Sequence, residues 1–427
     1  MIMKLKKIGI KLTADPKRVL LLPFSPGNEQ RIRKIVNRII KLTDDKAVLL
    51  LEEINNKFRQ RHLGFENRLI DNYTLVEKYV SQPVSRTKQL LLGTYFSKEY
   101  SICSASLFNP SIVSHPDQTR LKHGNLRFIL SLRAVGEGHI SSVEFVSGII
   151  TESLHIKFDE IPIYATPPSK RDTRPFIPHE VADDILDSNY DIEFSGCEKL
   201  SERVIFPFSK TESNGIEDVR LVRFLNDDGS YVYYGTFTAY DGHHILSELL
   251  ETKDFKKFKI RTLTGNGAKD KGMALFPEKI DGKYWMISRQ DGENIFIMNS
   301  GNIYEWNNPV ILREPEYDWE FVQLGNCGSP VKTPEGWLVL THSVGAMRTY
   351  VISAILLDIK NPHKIIGHLR EPLLVPDEEE RDGYVPNVVY TCGSMLYNKN
   401  LIIPYAMSDS ASRFAYISLN DLLNMMQ

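Results

Sequence analysis

The hydrophobic positions of this chain follow two different periods, and the change from one to the other falls near residue 90. Between Asn28 and about residue 80 they recur every three or four residues, as on one face of a helix. This pattern predicts three helices, with apolar faces at Ile32, Ile35 and Ile39, then at Leu51, Ile54 and Phe58, and then along a run from Phe65 to Tyr79. One or two strands are expected before them, ending at Pro23.

Beyond Leu90 the chain consists of short β-rich runs separated by turn residues, which is typical of an all-β protein. Three runs follow a turn glycine, and these glycines (Gly229, Gly282 and Gly336) are 53 and 54 residues apart. With two looser copies, five equivalent runs are expected: Leu126 to Arg133, Tyr231 to Tyr240, Lys283 to Arg289, Trp337 to His342 and Leu401 to Met407. The repeat predicts a five-bladed β-propeller over residues 91–427, after a strand and α-helical extension over residues 1–90.

Composition narrows the class of protein without assigning a function. The 427 residues include 52 Lys and Arg against 54 Asp and Glu, so nothing favours nucleic acid or a membrane surface as a partner. The four cysteines are widely spaced, which argues against a disulfide framework and against a metal site. No membrane helix or signal peptide is recognised, and a cytoplasmic location is expected. The apolar helix faces before residue 80 predict a homo-oligomer.

The innermost strands of a propeller line a central channel. When the five hairpins are aligned on the repeat, polar residues fall at the same end of each, and this places them together at one mouth of that channel. The first arms of the hairpins begin with Asn109, Asp218, Glu278, Ser329 and Asn387. The second arms end with Arg133, Tyr240 and Asp241, Arg289, His342 and Asp409. Carboxylates suit sugar hydroxyls and proton transfer, whereas Lys271, Arg289 and His342 suit an anion. Glu217 and Asp218 are expected on opposite faces of their strand, with Arg220 on the face of Asp218.

Several segments together resemble glycoside hydrolase family 130, which contains β-mannoside phosphorylases and some β-mannosidases. The resemblance covers roughly residues 100 to 425 and is carried by residues 214–220, 275–279, 336–342, 356–358 and 383–388. It implies a five-bladed propeller and an inverting reaction in which phosphate attacks a β-mannoside to release mannose 1-phosphate. It also implies inorganic phosphate as co-substrate, no further cofactor, and a manno-oligosaccharide as the other partner.

The resemblance assigns roles to most of the candidate residues. Asp218 is the expected acid, which donates its proton through a hydroxyl of the mannose ring. Lys271, Arg289 and His342 match the phosphate site, with Lys271 where the family commonly has Arg, and Val219 stands where Pro is usual. Asn109, Arg133 and Asp409 stand where the family holds the mannosyl unit at the cleaved end. The repeat and the strand pattern, rather than the resemblance, add Arg220, Tyr240, Asp241 and Glu278 as expected substrate-binding residues.

Two alternatives stay open at this point. A hydrolase of the same family needs no anion site but needs a carboxylate to activate water, for which Asp318, Glu320 and Glu378 to Glu380 are candidates. A propeller that binds glycan without cleaving it needs neither group, since a fold does not by itself determine a function.

Overall fold

The computed structural model describes residues 5–173 and 188–426, and helices and strands occupy separate parts of that range. The chain begins with strands β1 (Lys6–Thr13) and β2 (Val19–Pro23). Four helices follow, α1 (Glu29–Ile40), α2 (Asp44–Phe58), α3 (Phe65–Thr74) and α4 (Arg86–Tyr95), and then strand β3 (Ser97–Ser101), which pairs with β2. Within the described ranges, no helix has both the length and the apolar character needed to cross a membrane.

Side-chain caps explain where three of these helices begin. Oxygen atoms of Asn28, Thr43 and Ser85 each accept a hydrogen bond from the backbone N–H three residues further on. Helix α4 corrects the sequence analysis, which expected strands directly after Leu90. Its run of three leucines reads equally well as strand or helix, and burial of all three in the helical core decides for the helix.

The rest of the chain forms antiparallel strands in five successive groups. The first contains β4 (Ser106–Ser114), β5 (Leu126–Val135), β6 (Ser141–Ile150) and β7 (Ile156–Phe158). Strands β8 (Lys170–Thr173), β9 (Tyr190–Glu193) and β10 (Val204–Ile205) precede the second group, β11 (Gly215–Leu225), β12 (Tyr231–Tyr240), β13 (Ile245–Thr252) and β14 (Lys257–Thr262). The third contains β15 (Ala274–Leu275), β16 (Tyr284–Ser288), β17 (Ile295–Ser300) and β18 (Val310–Arg313).

The last two groups follow the same order. The fourth contains β19 (Gln323–Asn326), β20 (Val331–Lys332), β21 (Trp337–Val344), β22 (Tyr350–Leu357) and β23 (Ile365–His368). The fifth contains β24 (Val389–Tyr390), β25 (Met395–Tyr397), β26 (Asn400–Met407) and β27 (Ala411–Ser418), and helix α5 (Leu419–Met425) follows it. The prediction of an all-β chain beyond the helices is therefore confirmed for the described residues.

The N-terminal strand completes the last of these groups. Strand β1 pairs antiparallel with β27, at the edge of the sheet opposite β24. The Lys7 ammonium lies 2.6 Å from a carboxylate oxygen of Asp377 and 2.6 Å from one of Glu380, which is fully buried. The two ends of the chain thus meet in one sheet, and strands such as β4 and β21 are buried along almost their whole length.

Candidate active site

All five groups of strands contribute side chains to one polar cavity of about 240 Å³. Its lining residues are Asn109, Arg133, Glu217, Asp218, Arg220, Lys271, Arg289, His342, Arg348, Tyr350, Val388, Tyr390 and Asp409. Eight of them are residues that the sequence analysis proposed. Residues that lie far apart in sequence therefore converge because each group presents the same end of its strands to the cavity.

Matching irregularities in β4 and β11 aim Asn109 and Asp218 into the cavity. The pairing of β4 with β5 shifts between Phe108 and Ser111, and that of β11 with β12 shifts between Glu217 and Arg220. Inside these bulges Asn109 (φ 50°) and Asp218 (φ 55°) adopt the left-handed backbone conformation, which Asn and Asp tolerate better than most residues. Asn109 Nδ2 then donates a hydrogen bond of 2.7 Å to Asp218 Oδ1.

The bulge in β11 also corrects the expectation that Glu217 and Asp218 face opposite ways. Arg133 contacts both of them, with Nη2 2.7 Å from Glu217 Oε1 and Nη1 3.5 Å from Asp218 Oδ1. Alternation of side chains holds only in a regular strand, and the extra residue of a bulge interrupts it. Glu217 thus belongs to the cavity, although the sequence pattern pointed it away.

Arg220 is buried next to Asp218, and its hydrogen bonds connect three segments around the cavity. Its Nε donates to the carbonyl oxygen of Cys327 at 2.8 Å, and its Nη2 donates to the Tyr390 hydroxyl at 2.7 Å. Its Nη1 lies 3.4 Å from the carbonyl oxygen of Asp218. Arg220 therefore orients Asp218 through the backbone, and its charge acts on the carboxylate from a buried position.

Lys271, Arg289 and His342 also line the cavity. Lys271 Nζ lies 2.6 Å from Glu217 Oε2, so the lysine is ion-paired within the protein. Arg289 Nη1 lies 3.3 Å from His342 Nε2, and the imidazole stacks on the Tyr350 ring at a centroid distance of 6.0 Å. Gly325 makes this packing possible, because a Cβ atom there would lie only 2.5 Å from His342 Cε1.

Polar atoms without hydrogen-bond partners surround Arg289. Its own Nε is buried without a hydrogen bond, as are both side-chain atoms of Asn326, which is fully buried. A Cβ atom on Gly272, next to Lys271, would lie 3.5 Å from Arg289 Cβ and 3.5 Å from Asn326 Oδ1, so these groups adjoin. Buried polar groups of this kind normally have a partner, and a bound oxyanion would accept hydrogen bonds from Arg289 Nε and Asn326 Nδ2. The sequence analysis did not single out Asn326.

Three sequence-proposed residues do not line the cavity. Glu278 follows the short strand β15, pairs with the far end of β11 at Leu225, and binds Lys332 at 2.5 Å. Asp241 accepts hydrogen bonds from the backbone N–H groups of His243 and His244 and so stabilises a turn. Tyr240 lies behind Lys271, whose ammonium is 5.8 Å from the centre of its ring.

Burial and charge shift the titration of three cavity residues in different directions. Burial opposes ionisation of Asp218, but Arg133, Arg220 and the Asn109 hydrogen bond outweigh it and lower its pKa. Burial, together with the neighbouring Asp218 charge, raises the pKa of Asp409 to about 6. Burial, with Arg289 and Arg220 adding to it, holds the pKa of His342 well below its usual range, so its imidazole is neutral at pH 7.

This cavity is typical of a protein that handles a polar substrate and an anion side by side, since both carboxylates and cations line it. A family model described as beta-1,4-mannooligosaccharide phosphorylase, that of glycoside hydrolase family 130, matches residues 183–427. The chain belongs to this family. Asn109 and Arg133 precede the matched range, and the fold alone brings them to the cavity.

Curated relatives agree with this assignment. The chain is 30% identical over 231 residues to a 1,2-beta-oligomannan phosphorylase of Thermoanaerobacter sp. (strain X514), which covers 52% of this chain and 75% of that protein. It is 29% identical over 239 residues to a beta-1,2-mannobiose phosphorylase of Listeria innocua, covering 52% of this chain and 63% of the relative.

Solved structures show the same fold at lower sequence identity. The complex of the beta-1,2-mannobiose phosphorylase from Listeria innocua with beta-1,2-mannobiose aligns with a TM-score of 0.51 and 20% identity, over 75% of this chain and 92% of that one. A second structure, at TM-score 0.52 and 20% identity, covers 76% of this chain and 87% of its own. It comes from work stating that the family of mannoside phosphorylases contains glycoside hydrolases that target beta-1,2 mannosidic linkages in Candida mannan.

Proposed function

We propose that this protein is an inverting phosphorylase that cleaves β-mannosides with inorganic phosphate and releases mannose 1-phosphate. The observation that carries the proposal is the charge of the cavity. Five cationic side chains line it (Arg133, Arg220, Lys271, Arg289 and Arg348) against three carboxylates (Glu217, Asp218 and Asp409). Because His342 is neutral, the excess of two positive charges matches monohydrogen phosphate, which carries two negative charges.

The phosphate is proposed to bind at Arg289, whose Nε makes no hydrogen bond and has its carboxylate neighbour, Asp270 Oδ2, only at 3.8 Å. Arg289 brings a guanidinium that suits two oxygens of one phosphate, and the Asn326 amide lies beside it. Lys271 is held by Glu217 at 2.6 Å in the structure described, so phosphate has to compete with that carboxylate for the ammonium. We therefore expect Lys271 to contribute less to phosphate affinity than Arg289.

The mannosyl unit is proposed to lie between Asn109, Arg133, Asp218 and Asp409. Amide, guanidinium and carboxylate groups provide the donors and acceptors that sugar hydroxyls require. Asp218 is proposed to act in proton transfer to the leaving oxygen, through a ring hydroxyl, as the resemblance implies. Phosphate arriving from the Arg289 side would then attack the anomeric carbon on the opposite face, which gives inversion.

The surroundings of the alternative carboxylates favour phosphorolysis over hydrolysis. Glu320 is buried and bound to Arg313 at 3.1 Å, and Glu380 is buried and bound to Lys7 at 2.6 Å. Neither lines the cavity, and neither do Asp318, Glu378 and Glu379. Among the described residues, the carboxylates that line the cavity are Glu217, Asp218 and Asp409, and Arg133 already engages the first two.

The closed propeller and the role of residues 1–90 are also part of this proposal. The five strand groups, with β1 closing the last one, are proposed to form a closed five-bladed propeller around the cavity. Residues 1–90 are proposed to serve as an extension that joins subunits, with the chemistry left to residues 91–427.

The deciding experiment incubates the protein with β-1,2- and β-1,4-linked manno-oligosaccharides, with and without phosphate. Strictly phosphate-dependent cleavage that yields α-mannose 1-phosphate supports the proposal, and the better substrate gives the linkage. Equal rates in both buffers with free mannose as product would make the protein a mannosidase. A protein that only binds glycan would cleave neither, and its affinity would be indifferent to replacing Asp218 with Asn.

A further inference from the structure

The polar cavity is too small to enclose a whole oligosaccharide. Its volume is about 240 Å³, whereas pockets that enclose a ligand of drug size usually measure about 300–1,000 Å³. Under the proposed function, on which this inference rests, a mannosyl unit and a phosphate fill this space. Any further sugar of the substrate therefore has to lie outside the cavity, against the residues at its mouth.

The burial of the lining residues shows where the mouth lies. Arg220 and His342 are almost completely buried, whereas Arg348, in the turn after β21, is exposed. A cavity meets the solvent at its exposed lining residues. The mouth therefore lies beside the turn that follows β21.

The turn after β5 has the same backbone conformation as the turn after β21. Residues 136–139 and 345–348 each begin with a glycine, at φ −110° and ψ −155° in the first and at φ −109° and ψ −157° in the second. Each turn ends in two left-handed residues, of which the last is His139 (φ 60°) in the first and Arg348 (φ 55°) in the second. Both strands also supply a lining residue to the cavity. His139 thus holds, in the first strand group, the position at the mouth that Arg348 holds in the fourth.

Tyr384, in the segment before β24, meets His139 at this position. Its hydroxyl lies 3.4 Å from His139 Nδ1, and the centroids of the two rings are 5.7 Å apart. The backbone N–H of Tyr384 donates to Ser410 Oγ at 2.9 Å. These contacts hold the two rings between the turn after β5 and the turn that contains Asp409, which lines the cavity.

This aromatic pair has the chemistry of a sugar-binding surface. Tyr384 is 61% exposed and His139 is exposed as well, so both rings are accessible to a ligand. No described residue bonds His139 Nε2, which leaves this nitrogen to a ligand hydroxyl. A ring face with polar atoms at its edge offers apolar contact to the C–H groups of a sugar and hydrogen bonds to its hydroxyls.

We infer that Tyr384 and His139 form the subsite for the sugar on the leaving side of the cleaved bond. The Tyr384 ring stacks on that sugar, and His139 supports the ring and bonds a sugar hydroxyl. Neither residue lines the cavity, so the pair acts on the leaving sugar and not on the mannosyl unit or the phosphate. His139 also precedes residues 183–427, the range that the family model matches, and the fold alone brings it to this place.

A pair of substrates isolates this subsite. β-1,2- or β-1,4-mannobiose, whichever is cleaved faster, places a sugar there, whereas β-mannosyl fluoride carries the same mannosyl unit with no sugar on the leaving side. The ratio of the two kcat/KM values, measured at one phosphate concentration, therefore depends on the leaving side alone. Tyr384→Ala should lower this ratio about tenfold or more and leave the KM for phosphate unchanged. Tyr384→Phe, which keeps the ring, should retain most of the ratio.

Tyr231→Ala is the matched control. Tyr231 is also exposed (43%), but it begins β12, at the end of that strand remote from the cavity, so its loss should leave the ratio unchanged. Thermal unfolding of each variant verifies that it is folded. An unchanged ratio in Tyr384→Ala, or equal losses on both substrates, would overturn the inference. Failure of the proposed function would appear separately, as cleavage that does not depend on phosphate.

Discussion

Replacing Gly325 with Ala should damage the proposed phosphate site without removing any of its side chains. Gly325 on β19 lies directly opposite His342 on β21, and a Cβ atom there would be 2.5 Å from His342 Cε1 and 3.3 Å from Arg289 Cδ. Carbon atoms in contact normally lie about 3.5–4.0 Å apart, so the imidazole has to retreat by about 1 Å. The backbone itself poses no obstacle, because Gly325 does not adopt a left-handed conformation.

The imidazole has little room for that movement. His342 is 2% exposed, is stacked on Tyr350, and meets the edge of Tyr390 at a centroid distance of 4.9 Å. A displacement of about 1 Å in a positioning group can cost about 100-fold in rate. Overpacking of a buried site typically costs about 1–3 kcal/mol of stability. We therefore expect a folded protein whose kcat/KM for phosphate is about 100-fold lower.

Initial rates at saturating mannoside and varied phosphate measure this effect, with thermal unfolding recorded alongside. Gly301→Ala is the control, because a Cβ atom at Gly301 meets nothing within 4 Å. In a His342→Ala background the ring is gone, and Gly325→Ala should then cost much less. A Gly325→Ala protein with unchanged phosphate dependence, or equal losses with and without the ring, would refute the reasoning.

Two further predictions concern the anion site and the helices. Lys271→Ala should raise the KM for phosphate about tenfold and leave mannoside binding largely intact, because Glu217 remains bound to Arg133. Initial rates at varied phosphate concentration measure this KM. An unchanged KM would mean that Lys271 is only a structural partner of Glu217. Replacing Val48 and Leu49 with Glu should reduce an oligomer to smaller species in light scattering, since α2 exposes Val48 (42%) and Leu49 (61%) to solvent and the strand β1 that completes the last sheet is kept. A full-length protein that is monomeric at micromolar concentration would contradict this.

The sequence was most informative about the second arms of the hairpins. Tyr231 to Tyr240 was predicted with the bounds that β12 has, and Trp337 to His342 lies within β21. The alternation of side chains along a strand and the turn that precedes it are local signals, and both can be recognised in a single sequence. First arms such as β15 are only two residues long, so the same signals were too short to locate them.

Glu278 was misplaced because its first arm could not be located accurately. Counting from the repeat placed it at the start of a first arm, beside Asp218. It follows β15 instead and pairs with Leu225, ten residues along β11 from Gly215, at the end remote from the cavity. Glu217 was misplaced for a different reason, since a bulge depends on how β11 pairs with β12 and leaves no periodic trace. Arg348 comes from a turn and carried no repeat signal, whereas Tyr390 ends the predicted first arm that begins at Asn387 but was not proposed for the site.

The closing strand β1 provides a last test, because its contact with Glu380 connects the fold to the site. Lys7 lies 2.6 Å from Glu380, whose backbone carbonyl oxygen accepts from Ser408, the neighbour of Asp409. Lys7→Met leaves this buried carboxylate with Tyr405 at 2.6 Å and Arg413 at 3.6 Å. Breaking a buried pair costs about 3–5 kcal/mol, but the Lys7 side chain is 30% exposed, so about 1–3 kcal/mol is expected.

Chemical unfolding of Lys7→Met should therefore show a clear loss of stability, while Lys11→Met, an exposed position on the same strand, should show almost none. The kcat/KM for mannoside should also fall in Lys7→Met under conditions where the protein is folded, because the turn that aims Asp409 loses part of its support. Equal stability of the two variants would mean that the ion pair adds nothing to closure of the last sheet. A destabilised Lys7→Met with full activity would mean that closure and the orientation of Asp409 are independent.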